Sequence, residues 1–570
     1  MFRLPLRLCA LAACFAVASS SWSAAQEGPG PLRVTVRNEA LHSIDARLFG
    51  HFLERAQDEP GPEAAVDSGT GRLDPLVVDF LESMEIPIVR FPGGGAVEYG
   101  RPWTHLIDGA FGRQARERPD DARFGLDAFL SLSEELDTEP LLVVALSRPL
   151  REWHQESWAQ SIENAAAMVA YCNARVDADL PENLLRWARL RAANGRSEPW
   201  NVPYWQIGNE SFWAFAGALT KQGESAETIA DLYVEQVIAH LEAMRAVDPE
   251  IEIFVEIQLE QNDVPIAVAE RLHDRLGDRI DYVTFHSYHP WGIQIVEREG
   301  EPFDAQALSQ EDFYRAAVSA PGTDPASGQA VIDTRSIELA RELGYPVGVT
   351  EWNWNGWWDI EGVSSRSLPS DPFAYGLGAA AYLHAFMRQG DVIRVANQSM
   401  LVGSNWAISG IRVPKPGDAA QPFMTSTAMA VSLYSRHHGD RFLDTRLEGN
   451  TYFAQPYRLQ NIRPMERVAD LDVVSTRDAD TLYVHAINRD PAQARLLLIS
   501  LEDFLPEVPI LAQIYTMREK LPSPASQLDV AEIQSLSLGA LVQLERIPVL
   551  LPAKSVNVIE VKLGVPTTAP

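Results

Sequence analysis

Cysteine is nearly absent from this 570-residue chain: there are three, and Cys9 and Cys14 fall in an N-terminal leader. Only Cys172 remains beyond it, so no internal disulfide can form and the fold must rest on core packing. Basic residues are short as well, 48 Lys and Arg against 78 Asp and Glu, which leaves a formal charge of −30. A surface of that sign repels phosphate backbones and anionic headgroups, which excludes nucleic acid and membrane-surface partners. Past the leader there is no apolar run near the ~20 residues a membrane span needs. The remaining balance, 46% hydrophobic and 22% charged with 36 glycines and 38 prolines, suits a globular protein and argues against disorder, collagen or a coiled coil.

Several reaction signatures are missing too. Gly93-Gly94-Gly95 lacks the Lys-Ser/Thr of a phosphate loop and does not have the spacing of a dinucleotide fingerprint. A Gly-x-Ser-x-Gly elbow is absent, so a serine hydrolase has no nucleophile signature. His286 and His289 stand three apart, with no carboxylate or cysteine at zinc-site spacing. Neither a metal nor a cofactor is expected, and the expected partner is a neutral small molecule or polymer.

What is present begins with an export signal. Arg3 and Arg7 form a basic stretch, Leu8 to Ala18 is apolar, and Ser23-Ala24-Ala25 supplies small residues for cleavage, so 1–25 reads as a signal peptide. Leu11-Ala12-Ala13-Cys14 also looks like a lipoprotein cleavage box, which makes an anchor at Cys14 the minor alternative to a secreted or periplasmic protein.

From 45 to 410 short apolar runs alternate with amphipathic stretches. The runs are 46–52, 87–91, 140–146, 203–207, 251–257, 282–285, 346–349 and 392–396. They are near-continuously apolar, as strands buried on both faces are. Helical patterns lie between them at 73–84, 126–136, 164–174, 226–247, 264–276, 334–343 and 372–388. Eight such units predict an α/β fold, a closed (β/α)8 TIM barrel, with an open doubly wound sheet as the competitor. After 410 the long helical periodicities stop and period-two strands appear at 481–487, 494–501, 540–547 and 556–561. These predict an appended all-β, jelly-roll-like sandwich over 411–565, to which 31–44 adds a strand through Arg33–Arg37. The stretches 57–72 and 293–330 read as long barrel loops.

A barrel's active site lies where the C-terminal ends of its strands meet. Those ends carry His51 and Glu54, Arg90, Asn209-Glu210, Glu256, His286-Ser287-Tyr288 and Glu351-Trp352-Asn353. Glu210 and Glu351 are the sharpest pair. Two carboxyls facing one glycosidic bond can divide the work, one protonated to donate to the leaving oxygen, the other ionised to attack the anomeric carbon. Asn209 can bond a sugar hydroxyl, Arg90 can hold a carboxylate by a bidentate pair, and Tyr288 can donate to the nucleophile, with His286 in a similar part. Trp205, Phe212, Trp213, Trp352, Trp354, Trp357 and Trp358 crowd the same ends. Half are expected to stack on sugar faces and half to fill the core.

These motifs together resemble the α-L-arabinofuranosidases of glycoside hydrolase family 51. The likeness runs collinearly through Phe49–Glu54, Arg90–Gly94, Phe124–Phe129, Trp205–Glu210, His286–Tyr288, Glu351–Asn353, Ala396-Asn397, Leu433–Arg436, Ala486–Arg489 and Leu551–Val556. The resemblance implies a barrel plus β-sandwich and a retaining reaction with Glu210 as acid/base and Glu351 as nucleophile. It implies Glu54, Arg90, Asn209, His286 and Tyr288 as substrate or supporting contacts and a polysaccharide or oligosaccharide substrate; Trp352, among the aromatics at the strand ends, is expected as a further substrate contact. Homo-oligomers are common in that family, but no feature of this chain fixes a number. The chain departs from the family at Gly95, which is usually Asn, at Met400, usually Gln, and at Thr350, usually Asp. The hydrolytic machinery is therefore expected intact and sugar recognition altered. Arabinofuranose remains the leading sugar. An endo-acting or other-specificity glycanase (β-glucanase, xylanase or agarase) is the alternative, and a non-catalytic glycan-binding protein is the third reading.

Overall fold

The computed structural model describes residues 31–565 except 55–60, 68–71, 101, 108–123, 258–263, 333, 355–356, 405–407, 415–419, 521–528 and 542–544. The expected leader at 1–25 and its Cys14 lie outside the described residues. Among the described residues, no helix is long and apolar enough to cross a membrane.

Eight strands close into a parallel barrel: Gly50–Phe52, Ile88–Phe91, Glu139–Val144, Tyr204–Ile207, Glu252–Glu256, Tyr282–Tyr288, Val347–Asn353 and Ile393–Ser399. They follow chain order around the ring, and the eighth returns to the first with Asn397 opposite Gly50. The second, fourth and seventh are buried along their whole length, which is why their sequences do not alternate. Near the strand starts, Ile88, Leu141, Tyr204, Phe254, Tyr282 and Val395 fill the interior. The polar residues are thereby confined to the opposite mouth.

The first strand is shorter than the apolar run 46–52 predicts. Asp45 accepts from the Arg47 backbone N–H at 3.0 Å, and Ala46–Phe49 winds into a 3-10 turn before Gly50. A local side-chain acceptor competes there with the sheet ladder. The helix expected at 164–174 begins earlier, at Trp158, because Ser157 and Gln160 form a reciprocal capping box. The stretch 293–330 is not all loop. It contains helix Gln310–Ser319, capped by Ser309, with Phe313, Tyr314 and Ala317 on its buried face. Helices do not end at 410 either. Ser426–Arg436 packs on helices Pro372–Arg388 and Pro75–Met84.

The all-β region is one nine-stranded sheet. Strand Leu32–Ser43 joins it as expected, antiparallel to Arg441–Glu448 and parallel to Arg495–Glu502. Residues from both ends of the strand order, such as Ile547 and Val549 at one and Ile514 and Val561 at the other, share one apolar core, so the sheet folds over itself as a sandwich. A buried polar knot ties it to the barrel. Asp472 accepts from His384 Nδ1 at 2.7 Å, Arg388 Nη2 at 2.5 Å, Arg489 Nη2 at 3.0 Å and the Ala330 N–H at 2.6 Å.

Candidate active site

The strand ends meet in a cleft of about 1800 Å³ that is lined by Glu54, Asn209, Glu210, His286, Tyr288 and Glu351 among others. Sequence reading had placed all six there, and the barrel brings them together. One carboxylate oxygen each of Glu210 and Glu351, with a ring nitrogen of His286, lie within 4.8 Å of one another.

Each carboxyl has its own surroundings. Glu351 Oε1 accepts from Arg90 Nη1 at 2.9 Å, and its Oε2 accepts from the Tyr288 hydroxyl at 2.8 Å. Arg90 is fully buried. It does not make the bidentate pair that was expected. Its three nitrogens diverge, one to Glu351, one to Asn209 Oδ1 at 2.6 Å and one to Gln206 Oε1 at 2.7 Å. A single guanidinium thus fixes the seventh strand end against the fourth. The Tyr288 hydroxyl also lies 2.8 Å from Ser399 Oγ. Burial and the Glu351 charge raise its pKa well above the ordinary tyrosine value, so it stays a proton donor.

Glu210 sits 3.0 Å from His286 Nδ1, which is 3.7 Å from Glu351 Oε2. Burial works to raise the Glu210 carboxyl, but the His286 hydrogen bond and charge, with Arg90, outweigh it and hold its pKa below the usual value. Burial lowers His286, yet Glu351 and then Glu210 outweigh that and raise it. The opposite shifts, His286 up and Glu210 down, favour an imidazolium paired with a carboxylate. Arg90 beside Glu351 supplies a fixed positive charge, which disfavours a metal cation among these same oxygens.

The backbone makes this possible at two glycines. Gly208 has φ +82°, and a Cβ there would stand 2.3 Å from Ser211 Oγ, so only glycine permits the turn that presents Asn209 and Glu210. A Cβ on Gly94 would lie 3.1 Å from Glu351 Oε1 and 3.2 Å from Glu54 Oε1. The lack of a side chain there lets the two acids face one space.

Of two supporting acids, Glu98 escaped sequence reasoning, and Glu256 was placed at a strand end without a role. Glu98 is fully buried and accepts from the N–H groups of Leu146 and Ser147 (both 2.9 Å) and Asn209 (3.2 Å), and from Ser211 Oγ at 2.9 Å. It clamps the second, third and fourth strand ends together. The available signal was an acid inside the apolar turn after the glycine run, Gly95-Ala-Val-Glu-Tyr99. Glu256 accepts from the Ser211 N–H at 3.0 Å through Oε2, while its Oε1 is buried without a hydrogen-bond partner. Burial, offset in part by His286 and reinforced by Glu210, pushes it up to about 8. Glu54 is likewise pushed up to about 8, by burial and then by the Glu351 charge.

Those two raised carboxyls predict a pH-dependent stability. Each keeps a proton in the folded chain that the unfolded chain releases near its ordinary value of 4.5. The stabilisation is complete below about pH 4.5 and is lost as the pH rises through about 8. Per raised carboxyl, the slope between those limits approaches roughly 1.4 kcal/mol per pH unit. Glu256→Gln, which cannot ionise, is expected to flatten the decline by one such increment in urea titrations at pH 5, 6 and 7. Parallel curves for the wild type and the variant would reject it.

The aromatic residues divide. Trp213 and Trp357 line the cleft, and Trp291 joins Tyr288 and Trp357 in edge-on contacts at 4.7 and 4.8 Å. Trp352 is a correction. It is fully buried against Tyr382 and Phe386 on the barrel's outer face and does not line the cleft. Neighbours on a strand point to opposite faces, so with Glu351 at the mouth Trp352 must turn outward. Trp205 and Trp354 are core residues as well. Of the departures from the family pattern, Gly95 lines the cleft, whereas Met400 is buried with Phe52 and Ile408. Neither offers an amide to a sugar.

The chain is similar to known proteins in sequence and in fold. The family model described as Alpha-L-arabinofuranosidase 1 domain matches residues 80–296, which include Arg90, Glu210 and His286. Alpha-L-arabinofuranosidase C of Emericella nidulans is 28% identical over 243 residues, 40% of this chain but only 42% of that protein's length. Probable alpha-L-arabinofuranosidase C of Aspergillus terreus is 25% identical over 447 residues, 74% of this chain and 76% of that one. Among solved structures, the thermostable family 51 α-L-arabinofuranosidase of Thermotoga petrophila RKU-1 superposes with a TM-score of 0.64 at 20% identity. The superposition covers 93% of this chain and all of the other. At that identity the likeness speaks for the fold, a barrel with a β-sandwich.

Proposed function

From a chain that is α-L-arabinofuranosidase-like and of the glycoside hydrolase family 51 kind, we propose a retaining glycosidase that releases terminal sugars, arabinofuranose foremost, from plant or algal polysaccharide. The observation that carries the proposal is the approach of Glu210 and Glu351 to within 4.8 Å in unlike settings. Carboxyls about 5–5.5 Å apart suit double displacement, whereas inverting pairs stand ~6.5–9.5 Å apart to admit a water.

In this reading Glu351, ionised beside Arg90 and oriented by Tyr288, attacks the anomeric carbon as the bond to the leaving oxygen breaks. The proton held between His286 and Glu210 moves along their 3.0 Å hydrogen bond to Glu210, and from there to the departing oxygen. Formation of the glycosyl ester removes the Glu351 charge. Glu210, now a carboxylate, takes a proton from the incoming water. That water displaces Glu351 from the opposite face, and configuration is restored. The cleft, at about 1800 Å³, exceeds the ~300–1,000 Å³ of a small-molecule pocket, which favours a polymeric substrate. It also gives the endo-acting alternative its one supporting observation. Export by the N-terminal leader belongs to the same proposal.

Glu210→Ala tests the division of labour. Activity on the polysaccharide is expected to fall about 10²–10⁴-fold, while an aryl glycoside with a good leaving group still forms the glycosyl ester rapidly. Equal losses on both substrates, or an inverted first product by NMR, would reject the mechanism. Product analysis on a polysaccharide panel decides between modes. Chain shortening without terminal sugar release would replace the exo reading with the endo one, and tight glycan binding without hydrolysis would leave only a binding protein.

A further inference from the structure

The cleft has two unlike walls. One is aromatic, built from Tyr288, Trp291, Trp357 and Trp213. The other comes from residues 452–467 and carries Tyr452, Arg458, Arg463 and Arg467. This second wall is firmly seated on the barrel. Strand Tyr457–Leu459 pairs antiparallel with Val296–Arg298, and the Asn461 side-chain amide donates to the Tyr288 carbonyl at 2.5 Å. Its cations therefore keep a fixed position relative to the residue that holds Glu351.

Their charges are unequally used. Arg458 pairs with Glu297 at 3.2 Å. Arg467 sits over the Tyr452 ring, its guanidinium carbon 3.5 Å from the centroid. Neither Arg463 nor Arg467 has an ion pair among the described residues, although acids outnumber bases by 30 across the chain. The Arg463 charge reaches the half-buried His289, next in sequence to Tyr288. The acids lining the same cleft are Glu54, Glu210, Glu351, Glu466 on the same segment, and Asp359, which accepts from Gln294 at 2.9 Å. A neutral sugar can stack on the aromatic wall but offers these guanidinium groups only hydroxyl acceptors and no opposite charge. A planar guanidinium is matched to a carboxylate or sulfate by paired N–H···O bonds.

We propose that the wall bearing Arg463 and Arg467 is a subsite for an anionic sugar of the glycan, a uronate carboxylate or a sulfate ester, in the same cleft as Glu210 and Glu351. This rests on the glycosidase reading and narrows its substrate to acidic polysaccharides.

The test is calorimetric binding of length-matched trisaccharides to the wild type and to an Arg463→Ala/Arg467→Ala variant. The probes are trigalacturonate, its neutral methyl ester and a sulfated galactose trisaccharide. Wild-type protein is expected to bind trigalacturonate about tenfold tighter than the ester at low salt, with the margin shrinking at high salt. The variant is expected to bind the two alike, and both positions are exposed, so the fold is not at risk. Arg463→Lys/Arg467→Lys should keep part of the preference. Binding of the sulfated probe as tight as trigalacturonate assigns the subsite to anions in general, and weaker binding assigns it to carboxylates. Equal wild-type affinity for trigalacturonate and its ester, or a preference that survives in the alanine variant, overturns the proposal. Because the readout is binding, it stands apart from the hydrolysis assays. A chain that prefers trigalacturonate but cleaves nothing would lose the enzymatic reading and keep this one.

Discussion

Replacing Glu351 by alanine is expected to lower kcat on every glycoside by on the order of 10⁴-fold or more, because it removes the carboxylate that Arg90 and Tyr288 orient. Arg90 and Tyr288 would remain, aimed at an empty space that Glu351 Oε1 and Oε2 now occupy at 2.9 and 2.8 Å. That geometry gives a sharper expectation than loss alone. A small anion such as azide or formate fits the vacated site, faces the same guanidinium and can attack the anomeric carbon in the nucleophile's stead. With an activated aryl substrate, azide should restore turnover and yield a glycosyl azide of inverted configuration, since only one displacement then occurs. Glu210→Ala should instead yield a retained azide, from attack on the ester. Near-wild-type activity in Glu351→Ala would remove the residue from the mechanism. So would azide rescue with the opposite stereochemistry.

The second large effect concerns stability. Asp472→Ala is expected to cost about 3–5 kcal/mol, since removing one partner of a buried ionic network leaves the others uncompensated. Both of its oxygens are saturated, and Arg489 has no exposure at all. Burial works against the Asp472 charge, but Arg388, Arg489 and His384 outweigh it and hold its pKa well below the usual value. His384 is itself lowered to about 4 by burial, so at neutral pH it is a neutral ring. It donates through Nδ1 to Asp472 and accepts at Nε2 from the Tyr434 hydroxyl, 2.7 Å away. Asp472→Asn keeps the shape and two of the acceptor contacts and should cost less. The measurement is the first unfolding transition in urea. A shift for Asp472→Ala below about 0.5 kcal/mol, the ordinary scatter of surface substitutions, would show the knot to be dispensable. Aryl-glycoside turnover per folded molecule should be unaffected, since none of its members lines the cleft.

Much of this was legible before any coordinates. The strand runs were readable because a strand buried on both faces must be apolar throughout, and the eight observed strands overlap the eight predicted runs. Arg90, Asn209, Glu210, His286, Tyr288 and Glu351 stood out because polar groups at the ends of such runs are costly unless used. The misses have equally local causes. The helix Glu182–Ala193 has a polar exterior and only a few buried side chains, including Leu185, Trp187 and Ala188, too thin a stripe to register. Helix Ser426–Arg436 is short and nearly apolar all round, because it is sandwiched between other elements. Trp352 could have been set aside from strand alternation alone once Glu351 was taken to face inward.

By itself, then, the order of residues determined the alternation of elements, the places where charge interrupts apolar runs, and the identity of the two central acids. Periodicity and desolvation cost act over a few residues and leave their imprint in the chain. Tertiary structure alone decided that Glu210 and Glu351 share a 4.8 Å neighbourhood, that Glu98 clamps three strand ends, and that residues 452–467 line the cleft with Arg458, Arg463 and Arg467. Those depend on ring closure and on the sandwich docking against the barrel, contacts between segments far apart in sequence whose partners no local pattern specifies.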